Sequence, residues 1–125
     1  MMGKRVLVVD DEEMIRKFLR IHLSKWGFEV REAGDGVQAV EELSNDDFDL
    51  LICDIMMPTM DGWQVLKEVK SNPRTKDMPV IFLTAKDRAA DIVKGYELGV
   101  DYYITKPFTK AQLLEGLKLV SADRQ

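Results

Sequence analysis

Residues 48–62, Phe48-Asp49-Leu50-Leu51-Ile52-Cys53-Asp54-Ile55-Met56-Met57-Pro58-Thr59-Met60-Asp61-Gly62, decide how this chain folds. Leu50 to Cys53 is a short continuous apolar run, the pattern of a strand buried on both faces. Pro58 and the Asp61-Gly62 pair mark a tight, irregular loop. Between them stands Asp54, a carboxylate where a buried parallel strand ends. Open α/β sheets collect ligands in the crevice outside the carboxyl ends of their strands. An acid there is half desolvated and has nothing inside the sheet to cap, so it is costly as structure alone. Asp54 therefore reads as a functional acid rather than as the first residue of a loop.

Working outward, Lys4 to Val9 is a strand followed at once by Asp10-Asp11-Glu12-Glu13, acids that suit the first turn of a helix. That helix runs from about Glu12 to Trp26, with Ile15, Leu19, Leu23 and Trp26 on one face, and stops at Gly27. His22 falls on the same face and reads as a core-edge histidine bonded to a neighbour. Phe28 to Ala33 alternates as a second strand, and Asp35-Gly36 turns into a helix carrying Ala39, Val40 and Leu43. Beyond Gly62 a helix places Leu66 and Val69 inward and ends at Ser71-Asn72-Pro73. Val80 to Leu83 is a fourth strand, ending at Thr84-Ala85. A helix over Asp87 to Leu98 takes Ile92, Val93 and Tyr96 as its apolar positions. Tyr102 to Thr105 is a fifth strand leading to Lys106-Pro107-Phe108. The last helix, Thr109 to Val120, keeps Leu113, Leu114 and Leu117 inward, with Gly116 weakening its final turns by about 1 kcal/mol against Ala.

Five βα units with short connections predict a parallel sheet covered on both faces by right-handed crossovers. The expected architecture is α/β, a flavodoxin-like three-layer (βα)5 sandwich with strand order 2-1-3-4-5. At 125 residues, one domain spanning 1–125 is expected. A hydrophobic fraction of 46% beside 32% charged residues describes an ordinary globular protein. The net charge of −4 argues against a nucleic-acid footprint. No apolar run approaches a membrane span, and Met1 to Arg5 enters the first strand without a signal-peptide pattern. The lone Cys53 excludes a disulfide framework, fits a reducing cytoplasm, and reads as a buried small hydrophobe rather than a reactive thiol.

That strand order lines up Asp10 and Asp11, Asp54, Thr84 and Lys106 along one edge. Converging carboxylates repel and raise one another's pKa unless a cation lies among them. Hard oxygen ligands suit magnesium, which keeps water and phosphate oxygens in its shell. A lysine and a threonine facing it are donors for phosphoryl oxygens, and phosphoryl transfer needs mainly positioning and charge neutralisation. Asp54, central among them, is the candidate nucleophile.

Val8-Val9-Asp10-Asp11-Glu12, Asp54 to Gly62, Leu83-Thr84-Ala85 and Lys106-Pro107-Phe108 resemble, in order and spacing, the motifs of the receiver domains of two-component response regulators. The resemblance covers Lys4 to about Val120. It implies a phosphorylation-activated switch that catalyses only its own phosphorylation and dephosphorylation. Asp54 would accept a phosphoryl group from a sensor histidine kinase or a phosphotransfer protein. Asp11, Asp54 and the Met56 backbone carbonyl would hold Mg²⁺, and Asp10 would do so through water. Lys106 would pair with the phosphoryl group, and Thr84 would be drawn toward it with Tyr103 swinging inward behind. Downstream partners would meet the face of the fourth helix, fifth strand and fifth helix. Regulators with winged-helix outputs usually carry Ala-Asp-Asp-Tyr before the fifth strand and an arginine in the last helix. Val100-Asp101-Tyr102-Tyr103 and an arginine-free last helix depart from that pattern and weaken the expectation of a dimer through that face. The sequence is compatible with a stand-alone receiver and with a receiver cut from a longer regulator.

Two further features are expected. The Lys106-Pro107 bond is cis, aiming Lys106 back at the site. Met56 and Lys86, two residues after Asp54 and Thr84, flank the path of attacking water, and neither offers a base, so the phosphoryl group is expected to last longer than in the chemotaxis-type receivers that the chain resembles. Two other chemistries fit less well. A magnesium phosphohydrolase with an aspartyl nucleophile wants a second Asp where Met56 stands, and a flavin carrier would have its phosphate repelled by Asp10 to Glu13.

Overall fold

The computed structural model describes residues 4–85 and 89–122. Strands β1 (Arg5–Val9), β2 (Glu29–Ala33), β3 (Leu50–Asp54), β4 (Val80–Ala85) and β5 (Tyr102–Lys106) alternate with helices α1 (Glu13–Lys25), α2 (Gly36–Asn45), α3 (Gly62–Ser71), α4 (Ala89–Leu98) and α5 (Lys110–Ala122). The strands form one parallel sheet of order β2-β1-β3-β4-β5. This is the flavodoxin-like sandwich expected from the pattern.

Strand side chains alternate faces, so each central strand feeds two cores. Leu7, Val9, Leu51, Cys53, Val80 and Phe82 pack with α2, α3 and α4. Val6, Val8, Leu50, Ile52, Ile81 and Leu83 pack with Leu19 and Leu23 of α1 and Leu113, Leu117 and Val120 of α5. β3, central and flanked on both sides, is buried throughout, which explains its unbroken apolar run.

Local chemistry sets the helix starts. Asp35 accepts a bond from Gln38 N at 2.8 Å, and Asp61 with Gln64 forms a reciprocal capping box. Gly27 takes φ +92° just past α1. Gly62 is required by crowding, since a Cβ there would lie 2.7 Å from the Asp54 carbonyl oxygen.

Two expectations about packing are corrected. Val93 and Tyr96 are exposed, and α4 instead turns Ile92 and Gly95 toward the sheet. Glycine carries no hydrophobic signal, so the face it opens is invisible to a count of apolar side chains. His22 packs edge-on to Phe18 (4.5 Å) and tilted beside Trp26 (6.1 Å), and its buried Nδ1 has no hydrogen-bond partner among the described residues. Leu114 is half-buried beside the fully inward Leu113 and Leu117, and α5 continues past Gly116 without a break. Residues 86–88, which include Lys86 and the expected start of α4, lie outside the described residues.

Candidate functional site

Alternation along the strands decides which side chains meet. Continuing past Val6 and Val8, past Leu50 and Ile52, and past Ile104, the same face reaches Asp10, Asp54 and Lys106. Thr84 has the opposite parity and falls on the face of Phe82 and Tyr103.

Asp10 is fully buried just beyond β1. Its backbone N donates to Ala33 O at 3.2 Å, its Oδ1 accepts from Glu12 N at 2.9 Å, and Arg16 Nη1 donates to its carbonyl at 2.7 Å. Arg16 is itself held by Glu32 at 3.3 Å. The Lys106 ammonium stands 2.7 Å from Asp10 Oδ2, 3.4 Å from Asp54 Oδ1 and 3.6 Å from Glu12 Oε1. It therefore bridges the two buried acids, and the Lys106-Pro107 bond that follows is cis, as expected. The contact with Asp10 Oδ2 is one of charge rather than a well-aimed hydrogen bond, and among the described residues that oxygen has no hydrogen-bond partner.

One ammonium does not neutralise this cluster. Burial, then the neighbouring Asp10 charge, push the Asp54 carboxyl up to about 6 against the pull of Lys106. Asp10 is also raised, chiefly by burial, with Lys106 and the Glu12 amide opposing. For Lys106, burial acts downward, but Asp10, Asp54 and Glu12 together outweigh it and hold the ammonium above its ordinary value. The Cys53 thiol, wholly buried beside these acids, is pushed well up by burial and donates to the Asp54 carbonyl at 3.3 Å. It behaves as a packed hydrophobe.

The donor set fits a hard divalent cation. Asp10, Asp11 and Glu12 bring ligand oxygens within 4.8 Å of one another, and the under-satisfied Asp10 Oδ2 is among the buried atoms there. Asp11 and Glu12 open to solvent, which leaves room for water in the shell.

Of the residues picked from sequence, Asp10, Asp54 and Lys106 meet directly, with Asp11 beside Asp10. Thr84 is buried on the neighbouring strand end, its hydroxyl 3.4 Å from Ala85 O, at the loose limit of a hydrogen bond. Met56 is 57% exposed at the rim. Tyr103 is 8% exposed and points inward, its hydroxyl donating to Asp91 O at 2.7 Å. Lys86 lies outside the described residues. Sequence reasoning missed Glu12 and Arg16. Glu12 is the N-cap of α1 yet makes no side-chain cap bond, so its carboxylate is free to face Lys106. Arg16 lies one turn into α1, and nothing in the sequence marks its reach to the Asp10 carbonyl.

Residues 6–118 match the response regulator receiver domain family. The chain belongs to that family. It is similar to the chemotaxis protein CheY4 of Vibrio cholerae, at 32% identity and a TM-score of 0.89, covering 96% of this chain and 99% of that one. A putative response regulator from Chloroflexus aurantiacus is similar at 34% identity and a TM-score of 0.89, with 95% of this receiver and 98% of that chain covered. The receiver domain of a Pseudomonas aeruginosa sensor histidine kinase is similar at 26% identity and a TM-score of 0.84, covering 95% of this chain and 98% of that one; that protein holds a magnesium ion coordinated in its active-site cleft. As a receiver domain, this chain is a phosphorylation-activated signalling switch, a role distinct from that of a turnover enzyme. Among the described residues no helix is long and apolar enough to cross a membrane.

Proposed function

We propose that Asp54 is the phosphoacceptor of this receiver and that the reaction is Mg²⁺-dependent. The observation that carries this reading is the buried Asp54 carboxylate at the carboxyl end of the central strand, tied to Asp10 by the Lys106 ammonium. Above pH 6 the carboxylate is ionised, and an Asp54 oxygen attacks the phosphorus of a phosphohistidine on a sensor kinase or phosphotransfer protein. The new O–P bond forms as the N–P bond breaks, and its electron pair returns to the imidazole nitrogen. Bound by Asp11, Asp54 and the Met56 carbonyl, and through water by Asp10, Mg²⁺ would supply positive charge to the acids and the phosphoryl oxygens. Lys106, released from Asp10, turns its ammonium to a phosphoryl oxygen, and the Thr84 hydroxyl donates to another. Glu12 limits how far Lys106 departs.

Readout is assigned to α4, β5 and α5. This face carries the exposed Val93, Tyr96, Leu98 and Leu119 and a shallow groove of about 190 Å³ lined by β5 and α5, apolar features suited to a protein partner in the cytoplasm, while the net charge of −4 disfavours nucleic acid. Thr84 shares a sheet face with Tyr103, which gives the site a path to that groove.

Beryllofluoride, a phosphoryl mimic, tests the whole reading. With Mg²⁺ it is expected to shift amide resonances of α4 and β5 in wild type, to leave Asp54→Asn and EDTA-treated protein unchanged, and to act weakly on Thr84→Ala. A full response in Thr84→Ala refutes the link through Thr84. A full response in Asp54→Asn refutes the phosphoacceptor assignment.

A further inference from the structure

The acidic edge is braced from outside by an arginine that, among the described residues, forms no ion pair with its carboxylates. Asp10 has both main-chain groups tied to β2. Its N–H donates directly to Ala33 O at 3.2 Å, and its carbonyl accepts from Arg16 Nη1 at 2.7 Å. Arg16 is anchored on β2 in turn, its Nε donating to Glu32 Oε1 at 3.3 Å. Glu32 is the register partner of Val8, and partners in a ladder share a face of the sheet, which puts its carboxylate on the α1 side. There Arg16 and Arg20, four residues apart on α1, take one oxygen each, with Arg20 Nη1 2.6 Å from Oε2. The guanidinium is a rigid planar fork, so Arg16 spans Glu32 with Nε and Asp10 with Nη1 at once. Asp10 Oδ1 is engaged as well, by Glu12 N at 2.9 Å, which leaves Oδ2 to face Lys106. The peptide joining Asp10 to Asp11 begins at the carbonyl Arg16 holds, so that bond also sets where Asp11 leaves the chain.

We propose that Arg16, anchored on Glu32, is a positioning residue for the divalent-cation site, fixing the Asp10-Asp11 peptide so that both carboxylates are aimed at the cation. The proposal rests on the reading of Asp10 and Asp11 as cation ligands, and it gives the edge strand β2 a part in the site. Glu32 offsets the guanidinium charge, so Arg16 acts by geometry and not by charge. The two effects have opposite signs. A positive group beside the acids repels a cation, and removing it by charge alone tightens binding, whereas removing a strut loosens it.

Magnesium titration, followed through the amide resonances of residues 10–12 and 54–56, reads that sign. Arg16→Met is expected to weaken Mg²⁺ binding by roughly tenfold, the lower end of what losing an outer-shell partner does to a metal site. Arg20→Met takes the same charge from the same carboxylate and leaves the strut standing, so its affinity is expected to stay within about twofold of wild type. Unchanged or tighter binding in Arg16→Met, or equal weakening in both variants, overturns the proposal. A second arm needs no metal. In EDTA, hydrogen exchange at the Glu12 amide, which bonds Asp10 Oδ1, is expected to speed up several-fold in Arg16→Met and not in Arg20→Met. Equal exchange in all three proteins overturns the strut. Absence of any Mg²⁺-dependent shift in wild type counts against the metal-ligand reading instead, and exchange at Glu12 then decides the strut by itself.

Discussion

The two ends of the sheet carry the same kinds of side chain to opposite ends. At the amino edge, Arg5 pairs with Asp46 (3.6 Å) and takes up Asp49 through its backbone N (2.8 Å), while Arg74 pairs with Asp47 (3.2 Å). Arg74 also donates to the carbonyl oxygens of Leu43, Ser44 and Asp46, where α2 runs out of partners. At the carboxyl edge, Asp10, Asp54 and Glu12 share the ammonium of Lys106, with Asp11 beside Asp10 and Glu12. The first cluster is solvated and close to balanced, two arginines facing three aspartates, and it fixes a loop. The second holds two buried carboxylates, Asp10 and Asp54, and is short of positive charge. Charge imbalance under burial, rather than the number of acids, distinguishes a site from a surface network.

The largest expected break in this contrast is Lys106→Ala. Removing the cation strands two buried carboxylates and is expected to lower stability of metal-free protein by ~2–4 kcal/mol at pH 8, less at pH 5, as read by urea unfolding. Added Mg²⁺ is expected to recover much of the loss.

Asp54→Asn should act in the other direction. The folded carboxyl titrates at about 6, against ~3.9 in an unfolded chain. A raised folded pKa means that the protonated acid stabilises the fold fully below about pH 4, and that this contribution disappears as pH rises to about 6. In EDTA, wild type is expected to lose ~1–3 kcal/mol across that window relative to Asp54→Asn, and the variant to be the more stable protein at pH 8. Equal slopes would show that Asp54 titrates like a surface acid.

Smaller effects sharpen the comparison. Met56→Asn replaces an exposed thioether at the rim with a group that can hydrogen-bond water, and release of phosphate from the labelled protein is expected to rise a few-fold. Slower or unchanged release would place control of water elsewhere. Arg74→Ala, at the opposite edge, is expected to cost no more than ~1 kcal/mol and to leave phosphorylation rates unchanged.

Much of this was legible in the sequence because burial on two faces writes an unbroken apolar run, as at Leu50 to Cys53, and because Asp54, Asp10 and Lys106 stand where such runs end. Strand order followed from the number of βα units. What escaped reading was decided by side chains that are absent or by long reach across elements. Gly95 rotates the buried face of α4 away from Val93 and Tyr96 without any apolar residue to announce it. Arg16 steadies Asp10 from the middle of a helix face, and Glu12 is an N-cap by position whose side chain serves Lys106 instead. Tyr103 was expected to move inward on activation, and its inward position uses the space which that same glycine leaves open.

In the proposed reaction Asp54 alone takes the phosphoryl group, and the acidic edge needs a divalent cation for it to do so. Intact-mass measurement after incubation with acetyl phosphate tests it most directly. A single phosphoryl adduct is expected in wild type with Mg²⁺, with none in Asp54→Asn and none in EDTA. An adduct on Asp54→Asn to the wild-type extent, or one formed equally well in EDTA, would contradict it.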